Sequence, residues 1–297
     1  MSDTVRVVMW TTPRSRASIV AKCMDRVPGS KILFQLSSSA YRASLDEFTS
    51  LQSGSPAEKM HDALVDPKSS DYDEGKSTYP WMKNQMEADY PGKRFVFAKE
   101  MAYCIDGKFE YLPEGYRHIF LIRDPVKVFQ SFKRCVPEII AIRGLKGEEG
   151  KLELDKLSAK LLGKELAFKE AVNVYEYLQE KNIEPDPIIV DSDDLVNDPA
   201  SILPALFQRL GVEYHESILN WEKGADVLDS WVVSKRYKYR IRNVEYFRNF
   251  RDSTKFLKPE AITGTTHTGV SLTADVQRCV DFSRPYYMKL YEKRLTI

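Results

Sequence analysis

The opening stretch of the chain reads as a buried strand, a tight loop and a helix, and few folds accommodate that order. Val5-Arg6-Val7-Val8-Met9-Trp10 is β-rich and almost wholly apolar, the pattern of a parallel strand covered on both faces. Thr11-Thr12-Pro13-Arg14-Ser15 interrupts the run. Ala17 to Asp25 then predicts a short helix with Ile19, Val20, Cys23 and Met24 on one face, stopped at Pro28-Gly29. A helix entered this way turns its free backbone N–H groups and its positive dipole end toward the loop, which suits an anion. Arg14 and Arg16 add charge there, and Ser15 and Ser18 add hydroxyl donors. Neither the nucleoside-triphosphate loop GxxxxGK[ST] nor the dinucleotide pattern GxGxxG is present. A plain strand-to-helix turn carrying two surface arginines fits the same residues.

The remaining periodicity extends this unit into a larger sheet. Strands are predicted at Ile32–Gln35, Arg94–Lys99, His118–Ile122 and Pro187–Val190. Helices are predicted from Pro125 to about Ile142, across Leu152 to Lys181, from Pro199 to Leu210 and from Thr273 to Arg294. Between Leu36 and Tyr90 the patterning weakens, and Ser69–Gly75 reads as a surface loop. Strands separated by helices imply an α/β fold, a doubly wound parallel sheet flanked by helices, whose ligands sit at the carboxyl ends of the strands. At 297 residues, with 43% hydrophobic and 29% charged residues, the chain suits one domain over residues 1–297 with a sizeable core.

A second segment has the makings of an anion site. Arg123 follows the strand His118–Ile122 directly, and Ser131 lies eight positions on, in the helix opened by Asp124-Pro125. At about 100° per residue, positions eight apart share a helix face, so the two side chains can converge on one anion. An Arg123–Asp124 pair beside a serine in a helix interface fits equally.

Taken together, these segments resemble the PAPS-dependent sulfotransferases, whose donor is 3′-phosphoadenosine 5′-phosphosulfate. In that family the first strand ends in a Pro, basic residue, Ser loop closed by hydroxyl residues. This chain has Thr12-Pro13-Arg14-Ser15-Arg16-Ala17-Ser18. The family's second signature is an apolar strand, Arg, Asn or Asp, Pro, and a Ser eight residues after the Arg. Phe120-Leu121-Ile122-Arg123-Asp124-Pro125 with Ser131 matches it. Asp193-Asp194-Leu195 followed by Pro199 resembles a third, weaker signature. The resemblance implies a P-loop-like sulfotransferase fold and a set of roles. Arg14 takes the catalytic basic position beside the bridging oxygen, Ser15 through Ser18 bind the 5′-phosphate with Pro13 also on the cofactor side, and Arg123 with Ser131 bind the 3′-phosphate. It departs from the pattern at Arg16, where glycine is usual, at Ala17, and at Ile19, where many members stack an aromatic on adenine. The Tyr usual before the third signature is replaced by Ser192, a cofactor-side position. These departures mark a divergent branch.

The resemblance further implies transfer to a hydroxyl of a small organic acceptor (a sterol, a phenol or another alcohol). Transfer to a hydroxyl needs a proton acceptor. Cytosolic members place a His in a Lys-x-His context, and here that stretch reads Lys99-Glu100-Met101. Glu100 is the nominated base and His267, in a polar loop, the second candidate; a strand-end carboxylate paired with Lys99 or Arg94 is the rival account of Glu100. His118 reads as a structural residue at a strand start, and His61 and His215 have no motif behind them. Tyr72, Tyr79, Trp81 and Tyr103 fit an apolar acceptor pocket or ordinary core.

The segment from Lys235 to Arg251 interleaves basic and aromatic side chains. Such a mixture suits single-stranded nucleic acid, or an amphipathic helix with snorkelling arginines. By region, Arg248, Arg251 and Lys255 are candidates for the late basic contact to the 3′-phosphate. Two other readings compete: a P-loop-type kinase, and a nucleic-acid binder working through Lys235–Arg251. A net charge of +1 gives no global argument for nucleic acid or an anionic membrane. No apolar run of about 18 residues is present, and the four cysteines are scattered without metal-ligand spacing. The expectation is a cytoplasmic enzyme using PAPS, with no metal, no membrane and no nucleic acid. A homodimer is compatible with the sequence.

Overall fold

The computed structural model describes residues 4–44, 77–143, 153–156, 162–257 and 272–297. His61, Tyr72, His267 and the loop Ser69–Gly75 lie outside the described residues.

The elements run β1 (Val5–Thr11), α1 (Ala17–Asp25), β2 (Ser30–Phe34), α2 (Leu36–Ala43), α3 (Tyr79–Glu87), β3 (Phe95–Met101) and β4 (Arg117–Ile122). They continue with α4 (Pro125–Arg143), α5 (Phe168–Glu180), β5 (Ile188–Asp191), α6 (Ser192–Asn197), α7 (Pro199–Leu210), β6 (Val232–Val233), α8 (Lys235–Asn243), α9 (Arg248–Asp252) and α10 (Ala274–Tyr291). The six strands form one sheet in the order β5-β4-β1-β3-β2-β6, and every pairing is parallel. β1 lies at its centre, with Val8 opposite both Ala98 of β3 and His118 of β4. The chain builds β2 and β3 on one side of β1, then crosses to build β4 and β5 on the other. The crevice at such a reversal, outside the carboxyl ends of the strands, is where sheets of this kind bind ligands.

Strand alternation sorts the core into two layers. Val8 and Trp10 of β1 join Leu33, Val96, Ala98 and Phe120 on one face, where Met82 of α3, Phe129 of α4, Val174 of α5 and Cys279 of α10 cover them. Val7 and Met9 face the other way with Phe34, Phe97, Leu121 and Val190, under Val20 and Met24 of α1 and Leu203 and Phe207 of α7. The continuous apolar runs in the sequence are therefore strands buried on both faces. All four cysteines are buried free thiols. Among the described residues no helix is long and apolar enough to cross a membrane.

Three elements differ from expectation. The long helix predicted across Leu152–Lys181 is not continuous: a 3-10 turn covers Leu154–Lys156, and α5 starts only at Phe168. Gly163, at φ +78°, sits where an added Cβ would meet Glu170 Oε1 at 2.3 Å and Tyr103 Cβ at 2.8 Å, and Leu166 and Ala167 are also left-handed. The second strand stops at Phe34, because Gln35 turns left-handed (φ 55°) to start α2. The third is β6, a two-residue edge strand too short to leave a period in the sequence.

His118 lies in an interior strand rather than at a sheet edge. Its Nδ1 accepts a hydrogen bond from Trp10 Nε1 at 2.9 Å. Burial, then the neighbouring Arg117, pushes its imidazole down to about 4. An unfolded histidine titrates near 6.5, so between these values the unfolded chain takes up a proton that the folded chain refuses. Stability is accordingly expected to fall as pH drops from about 6.5 toward 4, by at most about 3 kcal/mol from this residue. Urea unfolding followed across that window should show the slope in the parent and a flatter one in His118→Gln; equal slopes would sink the assignment.

Candidate active site

The loop between β1 and α1 is built without glycine, yet Arg14 and Arg16 both adopt left-handed backbone (φ 62° and 63°). Such residues cost roughly 1–2 kcal/mol each and persist only where the surroundings hold them. The holding contacts are visible. Ser15 Oγ donates to the Thr12 carbonyl at 2.8 Å, and Arg123 Nη1 donates to the Arg14 carbonyl at 2.8 Å. Arg16 is the N-terminal cap residue of α1, its carbonyl accepting from the N–H of Ile19 at 2.9 Å. The first-turn N–H groups of Ala17 and Ser18 thus have no intrahelical acceptor and face the loop's concave side. Two left-handed residues around a helix start make a concave nest of the kind that takes an anion.

The second segment meets the first through Arg14. Arg14 Nε donates to Ser131 Oγ at 3.0 Å, and Arg14 Nη1 reaches the Tyr246 carbonyl at 3.4 Å. Arg123 is mostly buried, and burial, then the charge of Arg16, pushes its guanidinium down to about 10, so it stays a cation at neutral pH. Asp193 at the start of α6 balances this cluster, lying 3.5 Å from Arg16, 3.7 Å from Arg123 and 3.1 Å from Lys127. Three cations on one carboxylate leave net positive charge in front of the loop.

Loop and helix open into a cavity of about 470 Å³ along the carboxyl ends of β1, β3 and β4. Pro13, Arg14, Ser15, Arg16, Ala17, Ser18, Arg123 and Ser131 all line it, as do Arg248 and Lys255 from the late basic segment. Among the described residues, ten lysines and arginines line the cavity against one carboxylate, Asp252. A polyanion with groups at both ends of Arg14 fits this donor set. The nest lies at one end of Arg14, and Arg123 and Ser131 lie at the other.

No family model matches the chain. A curated relative, branched-chain-amino-acid aminotransferase-like protein 2 of Arabidopsis thaliana, is 28% identical over 115 residues, which is 39% of this chain and 16% of that protein. The chain therefore spans only a small part of that relative. Among solved structures, the sulfotransferase domain from the curacin biosynthetic pathway superposes with a TM-score of 0.51 at 16% identity, over 94% of this chain and 98% of that domain. The sulfotransferase domain of the Synechococcus PCC 7002 olefin synthase gives 0.49 at 16% identity, over 95% of each chain. The fold is the sulfotransferase fold.

Within this sulfotransferase fold, three residues expected in the site point elsewhere. Glu100 is fully buried and does not line the cavity. Its carboxylate caps the start of α2, accepting from Leu36 N at 2.8 Å, Ser37 N at 2.9 Å and Ser37 Oγ at 2.5 Å. Burial pushes this carboxyl up, and the Ser37 and Leu36 donors and Lys99 oppose that. Arg251 also lies off the cavity. It donates to the Ile241 and Val244 carbonyls at 2.8 and 2.7 Å, closing the end of α8. Ser192 is buried as the first residue of α6 and does not line the cavity, although Val196 of the same helix does. Of the expected pocket aromatics among the described residues, only Tyr103 lines the cavity; the Tyr79 hydroxyl donates to the Cys104 carbonyl at 2.6 Å. His215 sits beside Glu213 at 3.6 Å, away from the site.

Other residues enter that the motifs did not single out. Lys99 and Met101 face the cavity because strand alternation turns them opposite to Glu100. Ile19 lines the cavity where an aromatic was usual, and Arg42 of α2, Tyr237 and Arg240 of α8 and Tyr246 complete the wall. Period two, applied from the buried Ala98 outward, is the signal that distinguishes Glu100 from Lys99.

Removing the Glu100 carboxylate strands three buried donors. Glu100→Ala is expected to destabilise the protein by about 2–4 kcal/mol, and Glu100→Gln by less. Urea unfolding of the two variants checks this; parental stability in Glu100→Ala would mean that α2 is held by something else.

Proposed function

We propose that the protein transfers a sulfuryl group from PAPS to a hydroxyl of a small organic acceptor. The observation that carries this reading is Arg14 bridging the two anion segments, with its carbonyl on Arg123 and its guanidinium on Ser131. PAPS supplies the activated sulfuryl group. The loop N–H groups and Ser18 bind its 5′-phosphate, and Arg123 and Ser131 bind its 3′-phosphate, with Arg248 and Lys255 beside them. Ser15 acts through its backbone, because its hydroxyl already closes the loop. Arg14 answers the charge left on the 5′-phosphate oxygen as the sulfur–oxygen bond breaks, which is where transfer of this type needs stabilisation.

As the acceptor oxygen attacks sulfur, its proton must leave. Lys99 is the titratable side chain facing the cavity from the end of β3. Burial pushes its ammonium down to about 8, opposed by Glu100 and the Cys104 thiol. Its Nζ lies 3.1 Å from Met101 Sδ and 5.3 Å from the centre of the Phe34 ring, a setting that favours a neutral amine. We assign it the proton.

The rival readings have less support. A kinase of the P-loop type needs a Lys-Ser/Thr pair that the loop lacks. A nucleic-acid surface on Lys235–Arg251 would need free cations, but Lys238 and Arg242 share Asp229 at 3.6 and 2.9 Å, and Arg251 binds backbone carbonyls.

Thermal-shift measurements with 3′,5′-adenosine bisphosphate, ATP and an oligonucleotide separate the three. The bisphosphate is expected to stabilise the protein most, and stabilisation by ATP or oligonucleotide alone would reject the sulfotransferase reading. Arg123→Ala should weaken the bisphosphate by roughly 10–100-fold, as expected for loss of a charge-assisted pair; an unchanged affinity removes Arg123 from the site. In the parent, kcat/KM should rise as pH climbs through about 8, where Lys99 gives up its proton. Lys99→Met should lose both rate and that limb, and a limb that persists would assign the proton elsewhere.

A further inference from the structure

We propose that Lys22 is a positioning residue for donor binding: its buried ammonium, taken by the carbonyls of Gly224, Phe250 and Ser253, fixes Arg248 and Lys255 at the cavity relative to the helix that follows the nest. The part of those two cations in holding a 3′-phosphate rests on the sulfotransferase reading above.

Lys22 lies in α1, one turn beyond Ser18, and is 2% exposed. Its Nζ donates to the Phe250, Gly224 and Ser253 carbonyls at 2.9, 3.1 and 3.3 Å, and the centre of the Phe250 ring is 4.8 Å away. An ammonium has three N–H donors, and here main-chain oxygens answer all of them. Burial pushes the group down to about 8, so it stays mostly charged at neutral pH. Taking an ammonium out of water is costly. An apolar side chain would fill the same place under α1 without that cost. The charge therefore does something that packing alone would not. Phe250 belongs to α9 and Ser253 is its C-terminal cap residue. The last carbonyls of a helix carry its negative end, and a cation there both satisfies and holds them.

The helix held in this way cannot hold itself. α9 has five residues, too few to be stable without tertiary contacts. Trp221 Nε1 donates to the Ser253 carbonyl at 3.0 Å, Trp221 N to the Thr254 carbonyl at 2.9 Å, and Gly224 N to the Arg251 carbonyl at 2.7 Å. These bonds join α9 and its exit to the chain between α7 and β6, not to the nest. Among the described residues, the hydrogen bonds recorded between α1 and residues 248–257 all come from Lys22. Its third bond, to Gly224, grips the backing chain as well. Arg248 opens α9, Lys255 follows it, and both line the cavity. The spacing between the nest and these two cations is thereby set through one ammonium. A nucleotide with a phosphate at each place is sensitive to that spacing, whereas one with a phosphate at the nest alone is not.

Titration calorimetry with 3′,5′-adenosine bisphosphate and with adenosine 5′-phosphate tests this role. Lys22→Met keeps the apolar stem and removes the charge. It should weaken the bisphosphate by about tenfold and the monophosphate by no more than about twofold, as expected if one charge-assisted contact is misplaced. Lys22→Gln keeps a donor and should weaken the bisphosphate by less, which keeps the test valid if the methionine variant folds poorly. In an Arg248→Ala/Lys255→Ala background, itself weaker for the bisphosphate, Lys22→Met should cost nothing further, because residues acting through one contact are not additive. Amide hydrogen exchange of unliganded Lys22→Met should be faster at residues 248–257 and parental in β1. Parental bisphosphate affinity in the folded variants, an equal loss for the monophosphate, unchanged exchange at residues 248–257, or a Lys22 effect undiminished in the double-alanine background would each overturn the inference while leaving the sulfotransferase reading in place. A parent that does not bind the bisphosphate would reject that reading, and the positioning role with it.

Discussion

Two arginines held in left-handed backbone at the end of the central strand are the constraint on which the rest of the site depends. Glycine would adopt Arg14's and Arg16's conformations without strain, so the chain accepts a cost in order to have guanidinium groups at those positions. The cost is met by Ser15 on the Thr12 carbonyl, Arg123 on the Arg14 carbonyl and Asp193 beside Arg16. Each of these partners comes from an element that the parallel sheet brings to the end of β1. Fold and site are thereby coupled: β4 delivers Arg123, β5 leads into Asp193, and neither would meet the loop in another strand order.

The same coupling governs charge. The cavity collects far more cations than acids, and a cluster of that kind survives only if some cations are answered internally and others by ligand. Asp193 answers three of them beside the β1–α1 loop. Among the described residues no ion pair is recorded for Arg240, which lies against the Tyr237 and Tyr246 rings. The two ends of the cavity are therefore electrostatically unlike.

Much of the fold was legible because strands covered on both faces are continuous apolar runs, and β1, β3, β4 and β5 read that way. The meeting of Arg123 and Ser131 at the cavity was legible too, since both are fixed by the geometry of one strand and one helix. What escaped the sequence is what depends on distant contacts. Glu100 and Lys99 are neighbours in the chain and point to opposite faces, so a motif that locates the strand end does not choose between them. Arg251 and Arg240 belong to one basic stretch, yet one closes a helix end and the other lines the cavity. The break before α5 rests on Gly163 lying against Tyr103 and Glu170, a contact with no local signature.

The attachment of α8 has its own consequence. The helix carrying Tyr237 and Arg240 follows at once on β6, and Ser234 caps it by accepting from Tyr237 N at 3.3 Å. β6 meets the sheet only at its edge, through two residues paired with Leu33 and Phe34. The cavity wall carried by α8 is thus a peripheral graft on the sheet, whereas the nest belongs to its central strand. Exchange of the α8 side chains can therefore reshape that wall while the nest keeps its form, a division that lends the scaffold to diversification and to engineering.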